Sequence, residues 1–455
     1  MKVKETSNKG LNRGYEVVVP KSDIQTEEDA ILQDYSKKVK VAGFRAGKVP
    51  MNIMRQRYGN AVKGDVLERV VNKSLQKVIT DNKLKPAIQP KIEVKSFEDE
   101  GDLTFTVEVD IIPEFKVMDL AKIEIEKPVA KVPASRVDET LETLTKNNPE
   151  LEDISEDRAA KKGDYVVMDF HGQLEDGTAH PGMQAHDYTI ELGSGQLIPG
   201  FEDQLIGQKI GAHAHVNVTF PDNYGAKELA GQKAMFHCDI KGIKKATPVK
   251  IDDEFAKKIG FEKLDDLKAM IETQLGGEYK HMSRLKTKKA LFDALEEGHK
   301  FELPSGMVDA EFENIMRQLD NERKQTKNEE PVSEDDKEEM RDIAERRVRL
   351  GLVLAEIGQA QNIQVSNQEL QQVLFTEARK YPGREQQVFE FYQKNPQALE
   401  SLRAPVFEEK VVDFILGKIK VTEVETDPDE LLKEDDLEPK GEKAPKKKAA
   451  AKKKA

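Results

Sequence analysis

Few residues in this chain of 455 could carry covalent or metal chemistry. The single cysteine, Cys238, lies in the apolar run AMFHCDI. That setting predicts a buried, inert thiol rather than a nucleophile, and one cysteine leaves no internal disulfide and no multi-cysteine zinc site. His213 and His215 alternate on a predicted strand and could approach His237. No supporting carboxylate or cysteine cluster is evident beside them, so the sequence argues for no metal and no cofactor. GSGQLIPG, from Gly193 to Gly200, has the glycines of a phosphate loop without the Gly-Lys-Ser/Thr ending that would hold phosphate and magnesium. What remains is the chemistry of binding.

The clearest signal of that kind is charge placement. Between Tyr35 and Gly64 stand Lys37, Lys38, Lys40, Arg45, Lys48, Arg55, Arg57 and Lys63, with no acid. At the centre is GFRAGKVP. Gly43 and Gly47 permit positive φ, Pro50 can open a following helix, and Phe44, Arg45 and Lys48 are then displayed on a tight exposed tip. A phenylalanine flanked by cations suits a surface that is part protein and part phosphate backbone, although a solvated loop between helices accounts for the pattern almost as well.

The rest of the chain is acidic. Lys and Arg number 72 against 85 Asp and Glu, a net charge of −13, so any footprint for a polyanion must be local. Charged residues make up 35%, hydrophobic ones 37% and aromatic ones 6%, a composition that supports several folded domains with much exposed surface. MKVKETSNKG is not a secretory signal and no run approaches a membrane span, so a cytoplasmic protein with no membrane partner is expected.

The elements that must position these residues fall into blocks. From Gly14 to Ile112 a strand (YEVVVP), two helices (DIQTEEDAILQDYSKKVK and DVLERVVNKSLQKVITDN) and two alternating strands predict an α+β domain, 1–112. A linker with one short helix, 113–151, follows. Residues 152–247 turn to glycine and short strands (YVVMDFHGQL, DYTIEL, HVNVTF, KAMFHCDIKGI), a β-rich domain. Helical periodicity then runs through 248–426, with the last helix expected to kink or break before Pro405. Residues 427–455, an acidic block and a lysine-rich end, read as a disordered tail. Ordinary packing accounts for most of the apolar stripes, but Met-rich helices such as GMVDAEFENIMRQLDNERK could also offer adaptable, dispersed apolar surface.

GFRAGKVP resembles the ribosome-docking signature of trigger factors. The resemblance implies that Gly43, Phe44, Arg45, Gly47, Lys48 and Pro50 form a loop meeting ribosomal protein and RNA beside the exit tunnel. VVMDFHGQLEDGT, DYTIELGSGQLIPGFEDQL, VTFPDNYG and AMFHCDI resemble the FKBP fold in order and spacing. That implies an apolar prolyl pocket lined by Phe170, Tyr188, Leu197, Ile198, Phe201, Tyr224 and Phe236, with Ile198 and Phe201 as its floor. His180 and Pro181 depart from the family, which has an aromatic residue followed by an acid, so weakened or retuned isomerase activity is expected. The domain order implies a linker bridging to a helical chaperone region that receives nascent and unfolded polypeptides, in a monomer or weak dimer. A dedicated prolyl isomerase with substrate-delivery domains and a ribosome-associated RNA-binding factor are the competing readings.

Overall fold

The computed structural model describes residues 1–39, 44, 49–97, 101–154, 158–221, 224–226, 228–326 and 332–433. They form two compact units, one joining 1–129 to the chain after Met282 and the other running from Ala130 to His281.

The first unit opens with strands β1 (Lys2–Lys9) and β2 (Asn12–Val19), helices α1 (Lys21–Lys38) and α2 (Met51–Asp81), and strands β3 (Lys91–Phe97), β4 (Leu103–Asp110) and β5 (Glu124–Val129). The order β1-β2-β4-β3 makes one antiparallel sheet. Alternation turns Tyr15, Val17 and Val19 of β2 and Leu103, Phe105, Val107 and Val109 of β4 onto one buried face. Leu32 of α1 and Met54, Val62, Val66, Val70 and Val78 of α2 join the same core. Glu27, buried on α1, pairs with Arg69 and Lys73 of α2 and ties the helices together. β1 lies upstream of the predicted start at Gly14. Its side chains are almost all exposed, so no apolar alternation announces it.

The second unit holds α3 (Ala134–Asn147), β6 (Glu150–Asp153), β7 (Asp164–Leu174), β8 (Ala179–Glu191), α4 (Phe201–Leu205), β9 (His213–Thr219), β10 (Lys233–Thr247), α5 (Asp253–Ile259) and the first half of α6 (Leu264–Gly298). β10 is the spine of its sheet. One edge pairs with β7 along most of its length, and the other is shared by β9 and β6. A separate core joins Val137 and Leu141 of α3 to Phe255 and Ala256 of α5 and Leu267 and Ile271 of α6.

The remaining elements are α7 (Ser305–Thr326), α8 (Glu334–Ala360), α9 (Asn367–Ala378), α10 (Glu385–Lys394), α11 (Pro396–Leu416), β11 (Lys420–Glu425) and α12 (Pro428–Leu431). Ser333 with Asp336 and Ser366 with Glu369 form capping boxes that start α8 and α9. α11 continues through Pro405 without the predicted break. β11 pairs in parallel with β5, far earlier in the chain, and Ile123 and Ile125 share a core with Leu291, Leu295, Val353, Val411 and Ile415. The predicted linker is therefore partly a strand of the helical region. The predicted tail is partly structured too, for Asp427 caps α12 and Leu431 is fully buried. The tail beyond Lys433 lies outside the described residues.

Candidate functional site

Strand alternation and one turn assemble a cluster of aromatic rings in the second unit. Phe170 on β7 and Phe236 on β10 face inward from neighbouring strands, with centroids 5.9 Å apart. Phe201 begins α4 and meets Phe236 edge to face at 5.1 Å and Phe170 at 6.1 Å. Tyr188 of β8 closes the far side, 5.6 Å from Phe170 and nearly perpendicular to it. Such edge-to-face contacts fix ring positions more tightly than burial alone. Phe201 and Phe236 are buried, while Phe170, Tyr188, Leu197 and Ile198 are partly exposed against the same core. Six of the seven predicted pocket residues thus come together. The seventh, Tyr224, packs on Phe220 at 4.8 Å and keeps 40% of its surface exposed, a rim position. Phe220 itself is buried, the next inward place after Val216 and Val218 in the alternation of HVNVTF, and was not among the predicted pocket residues.

Two glycines are required here. Gly172 faces Phe236, and a Cβ at 172 would stand 2.5 Å from a ring carbon of that side chain. Gly200 sits at φ +85°, where the chain reverses into α4, a region that L side chains disfavour.

Glu202 is the residue of the site that the sequence did not disclose. Its buried carboxylate is folded back into the loop before α4: Oε2 accepts from the N–H groups of Gly193 and Gly195 at 2.7 and 3.0 Å, and Oε1 from Leu197 N–H and the Ser194 hydroxyl, both at 3.2 Å. Burial pushes its pKa up, but the donors on Gly195, Leu197, Gly193 and Ser194 outweigh burial and hold it below its ordinary value. A single side chain therefore ties down the segment that presents Leu197, Ile198 and Phe201. The available signal was an acid directly after a core phenylalanine, which reads equally well as a solvated helix start.

His180 Nε2 lies 3.1 Å from Glu228 Oε2, and Pro181 follows it within β8. A cleft of about 530 Å³ in this unit is lined by Leu174, Pro199, Val218, Ala234 and Met235 rather than by the rings. Cys238 is buried, and burial with the nearby Asp239 pushes its thiol up to about 12, so it supplies no thiolate near neutrality. Of the predicted docking loop, Gly43, Arg45, Gly47 and Lys48 lie outside the described residues. Phe44 is 40% exposed, and Pro50 sits extended just before the first turn of α2.

Residues 156–246 match the family described as FKBP-type peptidyl-prolyl cis-trans isomerase. Residues 1–144 match the bacterial trigger factor protein family, and 263–417 match the trigger factor C-terminus. A trigger factor of Rhodospirillum centenum is 46% identical over 438 residues, covering 95% of this chain and 98% of the relative. The chain belongs to the trigger factor family. A Gluconobacter oxydans trigger factor is 47% identical over 436 residues, 95% of this chain and 98% of its own. A solved trigger factor chaperone, studied for promiscuous substrate recognition in folding and assembly, has the same fold at a TM-score of 0.56 and 22% identity, covering 92% of this chain and 99% of its own. Trigger factors are ribosome-associated chaperones with prolyl isomerase activity, and the α+β, FKBP-like and helical regions described above follow that architecture.

The apolar stripe of the Met-rich helix α7 is packed, as ordinary helix packing predicts, and the most exposed aromatic side chains lie elsewhere. Val308 and Ile315 of α7 are buried with Ala344, Val348 and Leu352 of α8, and Met307 and Phe312 pack against them. In contrast, Phe375 of α9, Tyr381 after it and Phe391 of α10 are 58%, 51% and 54% exposed, and none of the described residues of α10 is buried. Charged neighbours such as Glu377, Lys380, Glu390 and Lys394 separate these rings. No helix among the described residues is long and apolar enough to cross a membrane.

Proposed function

We propose that the ring cluster is a working prolyl pocket in a chaperone that acts in the cytoplasm at the ribosomal exit tunnel. The observation that carries this reading is the closed set of Phe170, Tyr188, Phe201 and Phe236, held edge to face, with Leu197 and Ile198 on the loop that Glu202 ties down. An X-Pro bond resists rotation by roughly 18–20 kcal/mol because resonance keeps the amide planar. A pocket that gathers the prolyl ring and excludes water favours the twisted, less delocalised amide, and this chemistry needs neither nucleophile nor metal. At the rim, His180 paired to Glu228 presents polar groups where the family carries an aromatic, which supports a slower or retuned isomerase. The segment 152–247 serves as the isomerase domain, 248–426 as the chaperone region with 113–151 bridging to it, 1–112 as the docking domain and 427–455 as a charged tail.

The loop from Gly43 to Pro50 docks the chain on the ribosome, Phe44 against protein and Arg45 and Lys48 against RNA backbone. The exposed aromatics of α9 and α10 hold nascent and unfolded polypeptides, and the chain works as a monomer or weak dimer. Two measurements on the full chain test the proposal. Prolyl peptide exchange should be accelerated by the wild type and far less by Phe201→Ala. Cosedimentation with ribosomes should be lost in the Phe44, Arg45, Lys48 triple alanine variant. Unchanged exchange in the first variant removes the pocket, and unchanged cosedimentation in the second removes the docking loop.

A further inference from the structure

The reverse face of the strands that carry the rings gathers histidines. Phe236 and Cys238 of β10 point into the core, so His237 points outward. The register sets His237 beside His171 of β7 on one side and His215 of β9 on the other, and sets His213 opposite Asp239. Ring centroids of His215 and His237 are 4.7 Å apart, those of His213 and His215 5.0 Å, and those of His213 and His237 5.6 Å. One ring nitrogen of each of these three lies within 4.8 Å of the others. His171 stacks on His237 with ring centroids 4.9 Å apart and walls the group on the β7 side.

The carboxylate missing from the sequence argument is Asp239. Its Oδ1 lies 2.6 Å from Nδ1 of His213. A carboxylate accepts only, so Nδ1 of His213 donates to Asp239, and in the neutral ring Nε2 is then the nitrogen with the lone pair, the arrangement that orients imidazoles at metal sites.

We propose that His213, His215 and His237 form a site for a divalent transition metal of the zinc and nickel class, with Asp239 as a positioning residue. All three ligands are imidazoles, which suit these ions, whereas magnesium and calcium require oxygen donors. Metal–nitrogen bonds of about 2.0–2.1 Å place tetrahedral ligand atoms about 3.3 Å apart. Small rotations of His213 and His215, both exposed, close the remaining gap. Water completes the coordination. The bound ion staples β9 to β10, and so steadies the strands whose inner faces carry Val216 and Phe236.

The test is calorimetric titration of the full, untagged, chelator-stripped chain with Zn²⁺, repeated with Ni²⁺. One saturable equivalent is expected, unaffected by excess Mg²⁺ and accompanied by a rise in the thermal midpoint. His213→Ala/His215→Ala should abolish it, Asp239→Asn should weaken it by about tenfold or more, and His281→Ala, remote in sequence, should leave it intact. Circular dichroism establishes that each variant is folded. Should the double variant prove unfolded, His237→Gln takes its place, with loss of the saturable step expected. Wild-type affinity in any folded variant lacking a ligand histidine, or no saturable step in the wild type, overturns the proposal.

Discussion

The middle unit and the α9–α10 region use the same residue types to opposite ends. In the first, Phe170, Phe201 and Phe236 pack on one another, and their positions depend on strand register, on the absent side chain of Gly172 and on the Glu202 tie. In the second, Phe375, Tyr381 and Phe391 stand out among charged residues, with Phe389 packed on Phe375 at 5.1 Å. A preorganised pocket recognises one small shape, in the proposed reading the prolyl ring, and owes its effect to rigidity. Dispersed exposed rings bind many sequences weakly and owe their effect to number. One point change should therefore disable the pocket and barely touch the exposed rings.

The largest expected effect is that of Phe201→Ala. Removing a wall worth about 1.5–3 kcal/mol of burial should slow prolyl isomerisation by about tenfold to a hundredfold in a peptide exchange assay. The cavity should also lower stability by about 3–5 kcal/mol in denaturant unfolding, read at a temperature where the variant is still folded. Suppression of aggregation, followed by light scattering of a refolding client, should persist. An equal loss of both activities would break the comparison.

Next comes Glu202→Gln. Removing the charge from a carboxylate with four donors should lower the stability of the middle unit by about 1–3 kcal/mol at neutral pH. The folded pKa of Glu202 is depressed, so the wild-type stabilisation is complete above the unfolded value of about 4.3. It is lost as the pH falls below that value and through the folded pKa. Unfolding curves of the two proteins should accordingly converge in acid, and a gap that persisted there would show that the carboxylate charge is not what ties the loop.

A smaller effect is expected from Phe375→Ala combined with Phe391→Ala. Both side chains are exposed, so unfolding should shift by less than about 0.5 kcal/mol per site. Aggregation suppression should fall a few-fold and isomerisation should stay at wild type. Loss of isomerisation in this variant would mean that the two regions do not work separately. Smallest of all, Tyr224→Phe at the exposed rim should change isomerisation by less than about twofold, since it removes a hydroxyl and leaves the ring on Phe220. A large loss would move Tyr224 from the rim into the pocket itself.

Period and turn chemistry were enough to read the strands β2, β4, β7, β9 and β10, the helix α1, the end of β8 from Asp187 and the part of α2 from Asp65, because each has one buried face and therefore an alternating or helical pattern. The aromatic set from Phe170 to Phe236 was likewise visible, through its likeness to a known pocket. Those statements depend on neighbours along the chain. Other features depend on partners hundreds of residues away or on the opposite face of a sheet. β5 is a strand only because β11 lies beside it, and the charged pair Lys127 and Glu423 shows how little either segment announces this alone. The stripe of α7 reads as packed or as available on the sequence alone, and α8 decides it by covering Val308 and Ile315. Glu202 reads as a surface acid until the loop folds over it and brings backbone donors together. His213, His215 and His237 were candidates without a supporting carboxylate on the sequence, and the pairing of β9 with β10 makes them neighbours and gives His213 its carboxylate. Local sequence thus determined which segments bury a face. Tertiary structure decided which apolar and polar groups remain available, since availability depends on what covers a residue and not on what precedes it.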